Sequence, residues 1–321
     1  MIHKKLFPTL FLWLLTASLC LSACQPAAAA SVTLKIAVIP VLDALPMYLA
    51  QKEGLFTSRG LAVEFVPVAS GAERDQLIAS GQADGMLNEV LSTLLFNREK
   101  TQVQMVRYAR AATPTAPLFR ILASGKSGIT RVEDLKGVEI GISDATIIAY
   151  LTDRMLEKKG FSPQDIKTVG VPKIPDRLAL LSSGQLKAGV LPDPTSSLAV
   201  QQGAVVVVDD TLVPDLSFST LSFRKAVIDA HPETIRAFLA AVDEATQKIN
   251  SDSTHTRYVP LLAEQKLVPA PLLKAYQVPN FVTAGVPSQA QFADVLVWAK
   301  QKGLLKVDVS YDSSVNASFL P

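Results

Sequence analysis

The sequence TLKIAVIP at residues 33–40 and the sequence LAVEFVPV at residues 61–68 are apolar runs bounded by turn signals, which is typical of β-strands. Residues 44–52 between them are predicted to form a helix that ends at Gly54. Working outward, the same analysis predicts strands at 85–87, 103–108, 138–142 and 166–171, and helices at 73–79, 146–158, 233–250 and 289–302. Strands that alternate with helices predict parallel α/β sheets.

The predicted units occur twice along the chain. Asp43-Ala44 in the first half corresponds to Asp144-Ala145 in the second half, and Ser80-Gly81-Gln82 corresponds to Ser183-Gly184-Gln185. The spacing is far longer than the period of a solenoid repeat. Ordered matches at a nearly constant spacing therefore predict two similar α/β lobes.

The first 31 residues are predicted to direct export. Two lysines at positions 4 and 5 precede an uncharged apolar run at residues 6–19, as in a signal peptide. The run is short for a membrane span, which needs about 20 residues. The sequence LSAC at residues 21–24 resembles the lipobox of bacterial lipoproteins, which implies residues 1–23 as signal peptide, a lipid on Cys24 and a tether at residues 24–31. The alternatives are a secretory signal that is cut near Ala30 and an uncleaved anchor.

Composition limits the classes of function. Cys20 and Cys24 are the two cysteines, so the folded body should contain no disulfide and no cysteine metal site. The chain has 31 basic and 29 acidic residues; without Lys4 and Lys5 the counts are 29 and 29. A body without net charge argues against nucleic acid as a partner. We also expect no metal, no cofactor and a monomeric protein.

Four short segments carry a family resemblance: KEGLF at 52–56, SGQAD at 80–84, DLKG at 134–137 and LPDP at 191–194. In this order they resemble the nitrate, sulfonate and thiamine-precursor binding family of ABC importers. The resemblance covers about residues 33–223. It is specific to the family and does not identify a ligand.

The resemblance implies an α/β, two-lobed periplasmic-binding-protein (type II) fold with two crossover strands, near residues 118–123 and 211–223. Lobe 1 would comprise residues 32–120 and 220–321, and lobe 2 residues 121–219. A small-molecule ligand would lie between the lobes, and hinge closure would let the protein dock on ABC permease subunits. Together with a lipid on Cys24, this implies a protein held at the cell membrane that faces the periplasm or the cell exterior.

Ligands of open α/β sheets bind beyond the carboxyl ends of the strands. Four predicted strand-to-helix loops place an acid there, Asp43, Glu89, Asp144 and Asp193, and each is also a potential helix N-cap. The other predicted contact residues are Ser70, Gly71, Asn88, Arg110, Ser143 and Thr146.

Acids at helix starts disfavour an anion, so we expect a neutral or cationic/heterocyclic solute. The alternative is a sulfonate or nitrate ligand with Arg110 or Arg224 as counter-charge.

No catalytic motif is found. The sequence has no Gly-x-Ser-x-Gly elbow, no complete phosphate-binding loop and no His-Glu-x-x-His zinc motif. His231 and His255 lie in the late helical region of the sequence, away from the predicted cleft loops. We therefore expect a binding protein and no catalytic residues. A lipoprotein that senses the ligand without transport is the alternative function.

Overall fold

The computed structural model describes residues 33–254 and 256–321. The predicted signal peptide, the tether and Cys24 lie outside the described residues, as does His255. Within the described part of the chain, no helix combines the length and the apolar character that crossing a bilayer requires.

The described residues form ten strands: β1 (Thr33–Val38), β2 (Ala62–Pro67), β3 (Gly85–Asn88), β4 (Val103–Ala111), β5 (Phe119–Ala123), β6 (Glu139–Ile142), β7 (Lys167–Gly170), β8 (Ala188–Pro192), β9 (Val205–Asp209) and β10 (Phe218–Arg224). The α-helices in the same ranges are α1 (Leu45–Lys52), α2 (Gly71–Ala79), α3 (Val90–Phe96), α4 (Ile147–Lys158), α5 (Ile174–Ser183), α6 (Thr195–Gln201), α7 (Lys225–Ala230), α8 (Pro232–Asn250), α9 (Val259–Glu264), α10 (Gln289–Gln301) and α11 (Tyr311–Ser314).

The strands form two five-stranded sheets with the same internal order. The first sheet runs β2-β1-β3-β10-β4 and the second runs β7-β6-β8-β5-β9. In the first sheet, β1 pairs in parallel with both β2 and β3. In the second sheet, β6 pairs in parallel with both β7 and β8. The predicted repetition of the α/β unit is therefore confirmed by the strand order.

The prediction of parallel sheets is wrong at one strand in each sheet. Strand β10 pairs antiparallel with β3 and β4, and β5 pairs antiparallel with β8 and β9. These are the strands at which the chain has just crossed from the other sheet, so they enter from the opposite direction. The predicted α/β fold with two crossover strands is confirmed, and both sheets are mixed.

Close packing at the centre of the first sheet explains one glycine. A Cβ atom at Gly85 would lie 2.6 Å from the ring of Phe223 and 3.0 Å from Ile36. Only a residue without a side chain lets β3 and β10 pair while Phe223 fills the core above them.

One apolar core links both sheets. Its buried members include Leu94 on α3, Ile140 on β6 and Trp298 on α10. Helix α10 packs against α3, and the Trp298 indole donates a 2.7 Å hydrogen bond to Asp153 on α4. Trp298 is therefore a structural residue of this core.

Candidate ligand-binding cleft

A cleft of about 720 Å³, part of it open to solvent, lies where strands of both sheets end. Its walls are mainly apolar, with contributions from both crossing segments. The lining residues are Ile39, Val41, Asp43, Ser70, Gly71, Arg74, Leu87, Asn88, Glu89, Leu118, Phe119, Ser143, Thr146, Ile147, Ile148, Pro172, Ile174, Pro192, Asp193, Phe218 and Ser219.

Most of the predicted contact residues are brought together by the fold. The cleft is lined by eight of them: Asp43, Ser70, Gly71, Asn88, Glu89, Ser143, Thr146 and Asp193. Arg110 and Asp144 are outside the lining. Strand β4 continues to Ala111, beyond the predicted end at residue 108, so Arg110 is a buried strand residue instead of a loop residue.

Of the four acids named as potential N-caps, Glu89 caps a helix. Its Oε2 accepts the Ser92 N–H at 3.2 Å at the start of α3. The expectation is wrong for Asp43, which lies inside a single 3₁₀ turn, and for Asp193, which precedes the N-cap residue Pro194.

The expectation is also wrong for Asp144. The side chain of Thr146 accepts the Ile148 N–H and caps α4 instead. The intervening Ala145 has a φ of 52°. This left-handed conformation is energetically unfavourable for any residue that has a Cβ atom. This turn leaves Asp144 exposed and directs Thr146 towards the cleft.

The negative charge of Asp43 is balanced by the positive charge of Arg110. The Arg110 Nη1 lies 3.4 Å from Asp43 Oδ1, and the Ser219 hydroxyl donates to Oδ2 at 2.6 Å. Burial opposes the charge on Arg110, but the nearby acids Asp43 and Asp193 outweigh it and raise its pKa. Arg110 therefore supports the cleft wall from behind and is already paired.

Asp193 at the end of β8 is held by three groups. Its Oδ1 accepts from Arg120 at 3.1 Å and from Ser197 at 2.7 Å. Its Oδ2 accepts the Tyr276 hydroxyl at 2.9 Å. Tyr276 packs against the core of the first sheet, so this last bond spans the cleft.

Arg74 and Glu89 form a third, looser pair. Arg74 Nη2 and Glu89 Oε1 are 3.8 Å apart, and both side chains are about 95% buried. Arg74 Nε donates to Asp75 Oδ1 at 2.8 Å. Burial raises the pKa of Glu89 to about 7, although Arg74 acts in the opposite direction.

Arg177 on α5 is a buried cation behind the cleft wall. Its Nη1 donates to Ser143 Oγ at 2.9 Å and to the Val171 carbonyl at 2.7 Å. Its Nε and Nη2 have no hydrogen-bond partner among residues 33–254 and 256–321. Burial lowers its pKa to about 10, so it remains charged at neutral pH.

Two of the predicted polar contact residues are already engaged. Asn88 Oδ1 accepts hydroxyl groups from Thr220 and Ser222, and its Nδ2 donates to Thr93. Thr146 Oγ1 donates to the Ser143 carbonyl while it caps α4. These side chains shape the cleft, and most of their hydrogen bonds are made to other groups of the protein.

Asp210 connects the two crossing segments. Its carboxylate accepts the N–H group of Leu118 at 3.0 Å and that of Phe119 at 2.9 Å. Phe119 is the first residue of the second-sheet strand β5, and Leu118 precedes it. The carboxylate also accepts the hydroxyl of Ser217, which precedes β10 in the first sheet. Burial raises the pKa of Asp210 to about 6, which these hydrogen bonds oppose.

The sequence analysis missed Arg74, Arg120, Tyr276 and Asp210. Arg74 had a usable signal: it shares the buried face of α2 with Gly71 and Ile78 at helical spacing. An arginine on an apolar face indicates a buried polar partner. Tyr276 lies in a segment without a regular helix or strand, so no periodicity marks it.

The described residues contain no group of three or more His, Cys, Asp or Glu side chains placed to hold a metal ion.

Comparison with solved structures places the fold among known binding proteins. A ligand-binding component of an ABC-type import system from Staphylococcus aureus superimposes with a TM-score of 0.74 at 16% identity, over 89% of this chain and 97% of that chain. An alkanesulfonate-binding protein from Xanthomonas axonopodis pv. citri, bound to MOPS, gives a TM-score of 0.73 at 19% identity, over 92% and 99% of the two chains. These likenesses show the periplasmic-binding-protein fold.

Sequence comparison adds a relative and a family. The nitrate import ATP-binding protein NrtC of Synechococcus elongatus is 25% identical over 257 residues, which is 74% of this chain. The chain spans about two fifths of the length of the curated relatives it matches, 38% and 40%. The sequence profile described as "NMT1/THI5 like" matches residues 42–253. Since this match spans more than half of the chain, the protein belongs to the NMT1/THI5-like family.

Proposed function

We propose that this protein is the solute-binding component of an ABC importer, which captures a small organic solute in the cleft and delivers it to a membrane permease. One observation carries the proposal: strands of both sheets end at a single cleft with mainly apolar walls, and both crossing segments line it. Family membership and the import functions named for its relatives support it.

The proposed mechanism is hinge closure of two lobes, residues 32–120 with 220–321 and residues 121–219. Three contacts across the cleft would favour the closed state. Tyr276 donates to Asp193, and Lys173 lies 3.9 Å from Glu73. At Gly71 the two sides approach so closely that a Cβ atom would lie 3.3 Å from the Thr146 methyl group. A ligand drives closure to the extent that it binds the closed state more tightly than the open one.

We infer that Asp43 and Asp193 serve binding and not catalysis. Asp43 and Asp193 are fixed by arginine, hydroxyl and phenol partners, so neither carboxylate is placed to transfer a proton to a substrate. General acid–base catalysis needs a group free to exchange a proton within reach of the reacting atom.

Purification from the native host followed by native mass spectrometry tests the proposal. We expect a retained small molecule, and small-angle X-ray scattering should show a smaller radius of gyration when it is added back to ligand-free protein. Binding without compaction would contradict hinge closure. A protein that retains nothing, and binds nothing from a host metabolite extract, would contradict the function.

For the ligand class we propose a neutral or weakly cationic organic molecule, such as a heterocycle. Apolar side chains such as Val41, Phe119 and Phe218 form most of the wall. The acids Asp43 and Asp193 are each matched by an arginine. A ligand with a strong net charge would therefore lack a free counter-charge at these two positions.

The second candidate is an anionic solute, such as a sulfonate. Arg177 supports it, because this buried cation lies behind the cleft residue Ser143 with two unsatisfied nitrogens. The MOPS complex of the alkanesulfonate-binding neighbour also favours it. Calorimetry with taurine, MOPS and nitrate on one side, and cytosine and small amines on the other, separates the candidates: tight binding of the anions alone would exclude the neutral class.

We further propose that a lipid on Cys24 holds the protein at the outer face of the cell membrane. The support is the LSAC sequence at residues 21–24 after an apolar run. A single acyl chain gives marginal attachment, whereas several give stable anchoring. Labelled palmitate should be incorporated by the wild type and lost in Cys24→Ser; equal labelling of both would refute the assignment.

A further inference from the structure

Arg74 and Glu89 are the cleft-lining residues that keep a buried polar atom without a hydrogen-bond partner in the described part of the chain. The free atoms are Nη2 of Arg74 and Oε1 of Glu89, and they lie 3.8 Å apart. This distance is an ion-pair contact that is too long for a hydrogen bond. One donor and one acceptor therefore lie side by side with their hydrogen-bonding capacity unused.

The remaining atoms of both side chains hold them in place. Arg74 donates from Nε to Asp75 at 2.8 Å and from Nη1 to the Leu87 carbonyl at 3.3 Å. Glu89 accepts the Ser92 N–H through Oε2. The two free atoms are thus presented by side chains that have little freedom to turn towards each other.

An unsatisfied buried polar group is unfavourable, and a ligand that satisfies it recovers that free energy. Arg74 contributes one positive charge and Asp75 one negative charge. Burial raises the pKa of Glu89 to about 7, and above that pH Oε1 is a hydrogen-bond acceptor. A ligand group with an acceptor beside a donor satisfies both free atoms, and it needs no charge of its own to do so.

We propose that Arg74 and Glu89 recognise a neutral ligand group that carries a hydrogen-bond acceptor beside a donor, the edge that a carboxamide or a lactam presents. The acceptor faces Arg74 Nη2 and the donor faces Glu89 Oε1. This inference rests on the proposed binding function and specifies the chemistry of one end of the ligand. The apolar walls receive the rest of the molecule.

A carboxylate of the same shape has no donor for Glu89. It would place a negative charge against Oε1 and would bind only with Glu89 protonated. The charged side chains that act on Glu89 are Arg74 and Asp75, both on α2. The uncharged residues Thr146 and Ile147 line the same cleft. Tyr150 lines a smaller cavity with Glu89, and burial raises its pKa, so it stays uncharged. Amide and acid should therefore differ in how their affinity changes with pH.

The experiment uses matched fragments, benzamide with benzoate and 2-pyrrolidone with butyrate, and measures dissociation constants by ligand-observed NMR at pH 6 and pH 8. The full mature chain is compared with Glu89→Gln and with Glu99→Gln, an exposed glutamate outside the cleft, as the control. At pH 8 the wild type should bind each amide roughly tenfold more tightly than its acid. The acids should bind better at pH 6 than at pH 8.

Glu89→Gln should reduce the preference for amides to within about threefold and remove the pH dependence of acid binding, whereas Glu99→Gln should behave as the wild type. Acids that bind as well as amides at pH 8, or an amide preference that survives Glu89→Gln, would overturn the proposal. Compaction by a ligand without an amide edge would overturn this inference and leave the binding function intact. Absence of binding by every fragment and by host extract would overturn both.

Discussion

Replacement of Asp210 by alanine should destabilise the protein in a pH-dependent way. The carboxylate is buried and accepts hydrogen bonds from the Leu118 and Phe119 N–H groups and from the Ser217 hydroxyl. Asp210→Ala leaves these three donors buried without an acceptor, at about 1–3 kcal/mol each. At neutral pH, burying the ionised carboxylate is itself unfavourable for the wild type, and the alanine variant lacks this penalty. The loss of hydrogen bonds and the removal of a buried charge therefore partly offset each other.

The pKa of Asp210 sets the size of that cost. Burial raises it from 3.8 to about 6. The folded state therefore binds the proton more tightly than the unfolded state, and the wild type gains stability from this group as the pH falls from 6 towards 3.8. At about 1.4 kcal/mol per pH unit, the complete effect is about 3 kcal/mol, of which about 2 kcal/mol is present at pH 4.5.

Urea unfolding of the wild type and Asp210→Ala at pH 4.5 and pH 7.5 measures the difference. The loss of free energy of unfolding should be about 2 kcal/mol larger at pH 4.5 than at pH 7.5. Asp210→Asn, which cannot ionise, should show the same trend, and the exposed Asp215→Ala should show none. A loss that is equal at both pH values, or larger at pH 7.5, would refute the reasoning.

Three further predictions concern packing and pairing. Arg107→Ala leaves the carboxylate of Asp243, now 2.6 Å from the Arg107 Nε, without its partner, so the free energy of unfolding should fall by about 3–5 kcal/mol in urea titrations. Tyr276→Phe removes the bond to Asp193 across the cleft and should cost about 1.5–3 kcal/mol, with a larger radius of gyration by small-angle scattering in the ligand-free state. Gly85→Ala forces a methyl group against the ring of Phe223 and should lower the free energy of unfolding by about 1–3 kcal/mol. For each of the three variants, an unchanged urea midpoint would contradict the estimate.

The sheet architecture was predictable from the sequence because its signals are local. Apolar runs such as residues 33–40 are bounded by turns, and the order of strands and helices repeats along the chain. The fold then brings loops at strand ends together, which is why eight predicted contact residues line one cleft. The antiparallel direction of the two crossover strands was not predicted, since strand direction depends on a connection between sheets and leaves no local pattern.

The site was predicted less well where its chemistry depends on distant partners. Asp43 and Asp144 occupy equivalent positions in the repeat, yet Asp43 is buried against Arg110, and Asp144 is exposed beside Ala145 with its positive φ. Tyr276 reaches Asp193 from 83 residues further along the chain. Sequence position gives the location of an acid, and the tertiary structure decides whether that acid is paired.

That distinction changes the electrostatic argument about the ligand. Acids at four strand ends suggest a negative cleft that repels anions. In the structure, Asp43 and Asp193 are each matched by arginine, Asp144 is exposed away from the lining, and Glu89 has a pKa near 7. Asp43, Asp144 and Asp193 therefore neither repel an anion nor attract a cation strongly, and Glu89 repels an anion only in its ionised form. Selectivity must then come from hydrogen-bond geometry, because a neutralised and mainly apolar cleft discriminates by which of its polar atoms a ligand leaves unsatisfied.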